Sequence, residues 1–222
     1  MPDHVFSPES SLTELGTDCH SRYISARMRA LLGADTRVLF TVLIGLVAAG
    51  RLVELRIAGR NFRNLLARGG VEAAPEHYRW MVLLHAGFLF ACPLEVWLLG
   101  RPFLPALGFP MLLLVILAAI LRWWVIVTLD GRWTTRIVCL PGIGPITGGP
   151  YRFLRHPNYL AVIVEIFALP LVHTAWLTAL IFSALNAVIL KVRIRAEEEA
   201  LSRLSDYGAA FAGRPRLLPG GR

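Results

Sequence analysis

Apolar runs long enough to cross a lipid bilayer recur along this 222-residue chain. In a hydrocarbon layer every backbone N–H and C=O group needs a partner within the protein, so a run of about 20 apolar residues folds as a helix. The composition agrees, because 55% of the residues are hydrophobic and only 17% are charged. An ordinary soluble domain is therefore excluded, and the sequence predicts an all-α, polytopic membrane protein.

The apolar runs predict an N-terminal tail followed by a single membrane domain. The tail is residues 1–35, which are polar and expected to be mobile, and the domain is residues 36–222. Its five predicted spans cover residues 36–58, 78–99, 111–129, 158–171 and 174–190. The fourth is only about 21 Å long at 1.5 Å per residue, against a hydrocarbon layer of ~30 Å. Since Pro170 interrupts the pattern, we expect a hairpin with a short or tilted first arm.

The Lys and Arg residues orient the five predicted spans. The loops after the first and third spans, together with the C-terminal tail, carry 16 of them, and the opposite side carries five. The positive-inside rule places the more basic side in the cytoplasm and the N-terminus outside. These residues cluster between apolar runs instead of forming one basic face with interleaved aromatics. That pattern indicates membrane lipids as partners and argues against nucleic acid.

The cysteines give no sign of a metal or disulfide framework. Cys19, Cys92 and Cys139 are scattered along the chain and have no CxxC or CxxH spacing. A zinc site or a disulfide scaffold would require such spacing or an even set. We expect reduced packing residues and no bound metal.

The turn-rich segment GGPYRFLRHPNY, at the start of the fourth span, is the first candidate site. It contains Tyr151, Arg155, His156 and Tyr159, and Pro157 stands where the helix should begin. Proline is favoured at the first helical position, and the free N–H groups beyond it attract negative groups. The alternative is that Arg155 and His156 only extend toward lipid phosphates.

The charged segment RIRAEEE, directly after the last span, is the second candidate. On a helix, Arg193 and Glu197 are four residues apart, as are Arg195 and Glu199, so each pair shares a face. A self-neutralising helix end would show the same residues. Acidic side chains beside anionic lipid are unfavourable, however, which indicates a further role. Carboxylates here can bind an ammonium, a sulfonium or ribose hydroxyls.

These two segments carry a family resemblance. GGPYRFLRHPNYL, an apolar hairpin, RIRAEEEAL and YGAAF follow one another within residues 133–219, and the chain resembles the isoprenylcysteine carboxyl methyltransferase family of membrane enzymes. RWTTRI, RHPNYLAV, EIFALPL and NAVILKVRIRAEE are most similar to a bacterial branch associated with type III polyketide synthases. Enzymes of that branch methylate alkylpyrone or alkylresorcinol hydroxyls.

The resemblance implies S-adenosylmethionine as cofactor, bound at the cytosolic face by the last two helices and the flanking loops. Residues of the loop and of the helix start would line the cofactor site by position. They are Ile143, Gly144, Pro145, Ile146, Tyr151, His156, Pro157, Asn158 and Tyr159. The charged segment would supply an arginine toward the substrate and glutamates toward the cofactor. Two registers stay open, one pairing Arg195, as a catalytic residue, with Glu199, and one pairing Arg193 with Glu197 and Glu198.

A single acid inside the fourth span, Glu165, is the residue on which the choice of acceptor depends. An ionisable group within a membrane is a functional-site hypothesis. An enol or phenol acceptor profits from a general base, whereas a carboxylate acceptor needs a cationic clamp instead. Glu165 is therefore a candidate catalytic and substrate-binding residue. The alternative is a structural hydrogen bond to another span, for instance to Arg122 or Asn186.

The leading hypothesis is methylation of a hydroxyl on a long-chain, amphipathic acceptor that enters from the lipid. The second is carboxyl methylation of a prenylcysteine-like acceptor. A non-enzymatic scaffold or transporter is the third, although the chain shows no inverted repeat that would favour transport. The resemblance further implies the bacterial inner membrane and a polyketide synthase that supplies the substrate.

Overall fold

The structure is a computed structural model that describes the backbone of residues 9–217 and the side chains of residues 36–217 apart from His77. Two 3₁₀ helices, Asp130–Arg132 and Gly149–Arg152, lie among the other elements. The α-helices are α1 (Glu9–Ala67), α2 (Glu76–Leu98), α3 (Pro105–Leu129), α4 (Pro157–Leu171), α5 (Trp176–Leu204) and α6 (Tyr207–Ala210), and the strands are β1 (Val71–Ala73) and β2 (Ile137–Cys139).

The helices confirm the predicted fold class, an all-α polytopic membrane protein. Four helical segments are long and apolar enough to cross a membrane, namely Thr36–Ala67, Tyr78–Leu98, Pro105–Arg132 and Trp176–Leu204. The fourth predicted span corresponds to α4, which has 15 residues and hence a length of about 22 Å. Large apolar side chains such as Leu39, Phe90 and Val127 are exposed on the outer faces, as expected for surfaces that contact lipid.

The first helix is longer than the predicted span at both ends. Its backbone is helical from Glu9, within the predicted tail, and it ends at Ala67, so residues 59–67 extend the helix through the start of the predicted loop. The mobility of the tail stays a prediction, since the side chains of residues 1–35 lie outside the described part. The first described apolar contacts of α1 come from Phe40 and Ile44, which pack into the main core.

The hairpin of α4 and α5 holds the second half of the membrane domain together. α4 packs most extensively against α3 and next against α5. At the turn, the Glu95 carboxylate accepts hydrogen bonds from the backbone N–H groups of Leu177 (3.2 Å) and Thr178 (2.7 Å). Arg101 pairs with the same carboxylate at 2.7 Å. These bonds satisfy N–H groups that the first turn of α5 leaves free, and they fix the hairpin against α2.

A two-stranded antiparallel sheet is the main feature that the sequence analysis did not predict. β1 pairs with β2 in the register Val71 to Cys139 and Ala73 to Ile137. An ion pair between Arg136 and Glu72, at 2.7 Å, joins the same two segments. The sheet connects the loop after α1 with the loop after α3, so both loops contribute to one structure beside the candidate site.

Candidate cofactor and acceptor site

One cavity of about 410 Å³ extends through the interior of the membrane domain. At one end, which we call the motif end, it is lined by Tyr151, His156, Tyr159, Arg193 and Glu197. At the other, the deep end, it is lined by Ala48, Arg51, His85, Leu89 and Arg122. The two predicted segments therefore meet at one end of a cavity that continues among the membrane helices.

A second cavity, of about 110 Å³, adjoins the motif end. Ile143, Pro145 and Ile146 of the predicted loop line it on one side, and Tyr207 and Phe211 line it on another. The two cavities share a wall made of Leu129, Arg132, Val138, Cys139, Tyr151, Arg155, His156, Glu197 and Leu201. Most of the residues predicted to bind a cofactor thus surround two adjoining cavities.

The start of α4 is joined to the end of α5 through His156. Its Nε2 lies 3.1 Å from Oε1 of Glu198, and since a carboxylate only accepts, the imidazole is the donor. Glu198 is held in turn by Arg216, whose Nη2 donates to Oε2 at 2.6 Å. The His156 ring stacks on the Tyr159 ring with centroids 5.3 Å apart. Glu198 therefore fixes the orientation of His156 without itself lining the large cavity.

A second connection runs from Arg193 through Tyr159 to Glu197. Nε of the buried Arg193 donates to the Tyr159 hydroxyl oxygen at 2.9 Å. The Tyr159 hydroxyl donates in turn to Oε2 of Glu197. Nη2 of Arg193 donates to the backbone oxygen of Thr135 at 2.6 Å, which ties α5 to the segment before β2. Two N–H groups of the buried Arg193 and the buried phenol of Tyr159 are thus hydrogen-bonded within the site.

The segment after α6 closes the site from outside the membrane helices. The backbone N–H groups of Arg155 and His156 donate to the carbonyl oxygens of Pro215 (2.9 Å) and Arg216 (3.0 Å). Arg214 returns a bond, since its Nη1 donates to the Tyr151 carbonyl oxygen at 2.7 Å. The loop that opens the motif end is thereby fixed by the C-terminal segment.

Burial keeps the thiol and the phenol groups of the motif end protonated. The pKa of the Cys139 thiol is raised by burial, and by the Glu197 carboxylate, to about 11. The pKa values of Tyr151 and Tyr207 are raised first by burial and next by nearby charges, Glu197 for Tyr151 and Glu198 for Tyr207. These groups are therefore neutral near pH 7 and serve as hydrogen-bond donors or packing surfaces rather than as bases.

The structure places the two candidate registers differently. Arg193 and Glu197 face the cavity, whereas Arg195 is exposed on α5 and lines neither cavity. Glu199 forms an exposed ion pair with Arg203, in which its side chain is 62% accessible. The register that pairs Arg193 with Glu197 is thus the one that reaches the candidate site.

The remaining predicted residues lie at the same site, in different roles. The Gly144 carbonyl oxygen accepts two hydrogen bonds from Arg132, each 3.1 Å long, so this residue positions Arg132. Pro157 is buried in the first turn of α4. Asn158 lines the large cavity, and its side-chain oxygen is shielded from solvent without a hydrogen-bond partner among the described residues.

Glu165 lies in an ion cluster and is not among the residues that line the large cavity, and its catalytic role stays a prediction. Its Oε2 accepts from Arg122 Nη2 at 2.5 Å and from Arg51 Nη2 at 2.7 Å. Arg51 also pairs with Glu54. The bond to Arg122 is the alternative that the sequence left open, whereas Asn186 lines the cavity. Two strong donors already engage the oxygen that would accept a substrate proton.

Several cavity residues were missed because they come from outside the two motifs. Arg132 and Thr135 lie in the loop before β2, and Glu54 and His85 lie in the first two spans. The signal for the last two was available, since an ionisable residue within an apolar run calls for a partner or a function. No spacing rule links residues on separate helices, so the sequence could not place them beside the motifs.

The described residues fit S-adenosylmethionine, which offers an ammonium, a carboxylate, ribose hydroxyls and an adenine ring. The unpartnered side-chain oxygen of Asn158 is a free acceptor at the start of α4, suited to an ammonium or a hydroxyl donor. Glu197 provides a carboxylate to both cavities, and Arg132 and Arg155 provide cations. The smaller cavity has the aromatic rings of Tyr151, Tyr207 and Phe211 in its walls and suits a flat ring.

A membrane-embedded helical domain with a polar site at one end of an interior cavity is the class that the fold and the site define. Comparison with known proteins assigns the family. The family model of the isoprenylcysteine carboxyl methyltransferase (ICMT) family matches residues 111–203. Uncharacterized protein YpbQ of Bacillus subtilis (strain 168) is 35% identical over 168 residues, which cover 75% of this chain and 99% of that protein.

An uncharacterized protein of Haemophilus influenzae is also similar, with 31% identity over 159 residues, 71% of this chain and 92% of the relative. The chain belongs to the isoprenylcysteine carboxyl methyltransferase family. It is therefore an integral membrane protein of a methyltransferase family whose members use S-adenosylmethionine as methyl donor.

Proposed function

We propose that this protein transfers a methyl group from S-adenosylmethionine to a hydroxyl of a lipid-like acceptor, of the alkylpyrone or alkylresorcinol type. The observation that carries the proposal is the large cavity, which runs without interruption from the polar motif end to apolar walls of α1, α2 and α5. Such a cavity suits a molecule with a small polar head and a long apolar chain.

The apolar walls give the chain of the acceptor a path from the bilayer. Leu52, Leu55 and Val82 line the cavity and are at the same time between 41% and 57% exposed on the outer surface. Since α1 and α2 carry these residues, the opening lies between these two helices. An acceptor dissolved in the membrane reaches the site through it without passing through water.

The cofactor supplies an electrophilic methyl group, activated by its sulfonium charge. The protein supplies alignment of the acceptor oxygen with that group, which accounts for a large share of the acceleration in a displacement reaction. The bonds among Arg193, Tyr159 and Glu197 hold the motif end rigid. The membrane helices exclude water from the reacting groups.

Carboxyl methylation of a prenylcysteine-like acceptor is the second candidate, and two observations favour it. The matched family carries this activity in its name. In addition, Arg132, Arg136, Arg155 and Arg193 all line the large cavity, so the motif end is basic. Positive charge stabilises a carboxylate acceptor as well as an enolate or phenolate, so the basic motif end fits both candidates. An assay that identifies the methylated acceptor distinguishes them.

We also propose the cellular setting that the charge distribution favours. The motif end and the C-terminal segment face the cytoplasm of a bacterial cell, with the domain in the inner membrane. A type III polyketide synthase would then supply the acceptor from the cytoplasmic side. Cysteine accessibility to an impermeant reagent, at single cysteines introduced at Arg68 and Gly100, tests the orientation.

The experiment that tests the function uses the purified protein in detergent. We expect calorimetry to detect binding of S-adenosylhomocysteine, and a radioactive methyl group to pass from S-adenosylmethionine to a 5-alkylresorcinol or a 6-alkyl-4-hydroxy-2-pyrone. A prenylcysteine analogue is assayed in parallel. Transfer to the prenylcysteine alone would replace the first proposal with the second, and a folded sample that binds no S-adenosylhomocysteine would remove both.

A further inference from the structure

His85 is a cavity-lining imidazole that lies outside the segment matched by the family model and outside both motifs. It sits on the face of α2 that also presents Met81 and Leu89 to the large cavity. These residues are four apart, so they form one stripe along the helix. His85 therefore points to the same space as the proposed acceptor.

The hydrogen bond at one ring nitrogen of His85 determines the state of the other. Nδ1 lies 2.8 Å from the backbone oxygen of Met81. A carbonyl oxygen can only accept, so Nδ1 carries the proton and, in the neutral ring, Nε2 carries a lone pair. Among the described residues no group bonds to Nε2. The side chain is thus oriented as an available proton acceptor.

The neighbours of His85 come from every helix packed around the deep end. α1 contributes Arg51 and Glu54, α3 contributes Arg122, and α4 contributes Glu165. Their formal charges cancel. Nε of Arg122 is buried, forms no hydrogen bond in the described part of the chain, and lies 4.0 Å from Oε1 of Glu54.

The depth of His85 suits a ring-sized acceptor head. On α2, His85 is seven residues from Tyr78, which also lines the cavity, and this spacing corresponds to about 10 Å along the helix. A single aromatic ring with its substituents spans most of such a distance. With its hydroxyl beside His85, such a head would meet a methyl group that a donor bound at the motif end extends toward the deep end.

We infer that His85 is the general base that removes the proton of the acceptor hydroxyl. The inference rests on the proposed hydroxyl methylation. The acceptor O–H bond breaks and its proton passes to Nε2 of His85. The oxygen electron pair forms the O–CH₃ bond while the CH₃–S bond breaks, and its electron pair stays on the sulfur of the methyl donor.

The charges balance in this step, because the positive charge of the sulfonium donor reappears on the imidazolium. Water that enters after product release takes up the proton. A carboxylate or an acidic enol, already ionised at neutral pH, would require none of this, and so a requirement for His85 is expected only with a phenolic acceptor.

The experiment compares His85→Gln with the parent on two acceptors that differ in acidity. A 5-alkylresorcinol is a phenol with a pKa of about 10, whereas a 6-alkyl-4-hydroxy-2-pyrone is an acidic enol that is ionised at neutral pH. We expect His85→Gln to lower kcat on the resorcinol about 100-fold and to change kcat on the pyrone less than threefold. In the variant, the resorcinol rate should rise about tenfold per pH unit, because only free phenolate reacts.

Two readouts do not depend on turnover. Calorimetric affinity for S-adenosylhomocysteine should be equal in the parent and in His85→Gln, which shows that the variant is folded. The second readout is the ionisation of a bound nitrophenol that carries an alkyl chain on its ring, measured by phenolate absorbance with S-adenosylhomocysteine present. This phenol should ionise at a pH about one unit lower when bound to the parent than when bound to His85→Gln.

Equal losses on both acceptors, or no loss on the resorcinol, would overturn the role of His85 while leaving the methyltransferase in place. A parent protein that methylates neither acceptor would overturn the proposed function itself, and the inference with it.

Discussion

His156 donates a hydrogen bond through Nε2 to Glu198 over 3.1 Å, and this contact links the first turn of α4 to the last part of α5. His156 is 4% exposed and its ring lies against Tyr159. We expect His156→Ala to weaken binding of S-adenosylhomocysteine at least tenfold, since both the cavity wall and its support are lost. Isothermal calorimetry measures this directly, and an affinity equal to that of the parent would refute the site assignment.

Glu198 and Glu199 form a matched pair of adjacent acids with opposite environments. Glu198 accepts hydrogen bonds from His156 and Arg216, whereas Glu199 has only the exposed Arg203. Since hydrogen bonds to charged groups contribute about 1.5 to 3 kcal/mol, Glu198→Gln should weaken S-adenosylhomocysteine binding roughly tenfold or more. Glu199→Gln serves as control and should leave it unchanged. Equal effects of the two changes would contradict the positioning role of Glu198.

The register of the charged segment is tested with Arg193→Gln and Arg195→Gln. Arg193 is 6% exposed and bonds to Tyr159 and to the Thr135 carbonyl oxygen, whereas Arg195 is exposed. We expect Arg193→Gln to reduce kcat/KM at least 100-fold, because it leaves two buried acceptors without their donor. Arg195→Gln should stay within threefold of the parent. Initial rates of radioactive methyl transfer give both values, and the reverse order would restore the other register.

Replacing Glu165 should lower stability, because the buried guanidinium of Arg122 and the partly buried one of Arg51 would lose a shared carboxylate partner. Removal of one member of a buried ion pair costs about 3 kcal/mol or more. We therefore expect Glu165→Gln to lower the thermal unfolding midpoint in detergent, while Arg51→Gln with Glu165→Gln should recover part of the loss. A variant with parental stability and abolished turnover would instead return Glu165 to the role of catalytic base.

Cys139 offers a pH-dependent test of the cavity wall. Its pKa is raised to about 11 by burial, so its thiolate fraction at pH 8 is on the order of 100-fold below that of an ordinary thiol. In a Cys19→Ser, Cys92→Ala background, alkylation by iodoacetamide should be slow at pH 8 and rise about tenfold per pH unit up to pH 10. Bound S-adenosylhomocysteine should protect the thiol, because Cys139 lines both cavities. Rapid alkylation at pH 8 would show that the site is open.

Local patterns predicted the order of the helices and some of their ends. Membrane helices satisfy their backbone internally, so apolar length indicates where they lie. α4 begins and ends within one residue of its predicted span and α2 within two, whereas α3 begins six residues earlier and α5 ends 14 residues later than predicted. Proline at the start of α4 and Pro170 near its end explain its short length. The end of α1 was missed, since Arg60, Asn61, Arg63 and Asn64 interrupt the apolar pattern there.

The sequence could place the two motifs at one site but could not place the partners from other helices. Arg193 and Glu197 follow from a four-residue spacing, whereas the contact of Arg193 with Thr135 joins residues 58 positions apart. The same limitation applies to Glu165, whose second partner, Arg51, is 114 positions away. Spacing rules act within one helix, and the packing of separate helices depends on the whole set of side chains between them.

The bonds from Pro215 and Arg216 to the start of α4 also set the order in which the protein becomes active during biosynthesis. The ribosome makes all five apolar helices before it reaches these residues, so insertion into the membrane precedes completion of the site. A chain terminated after Tyr207 should therefore reach the bilayer with a full set of helices and yet fail to retain its cofactor. Premature stop codons in this region would produce membrane-inserted, inactive protein rather than degraded fragments.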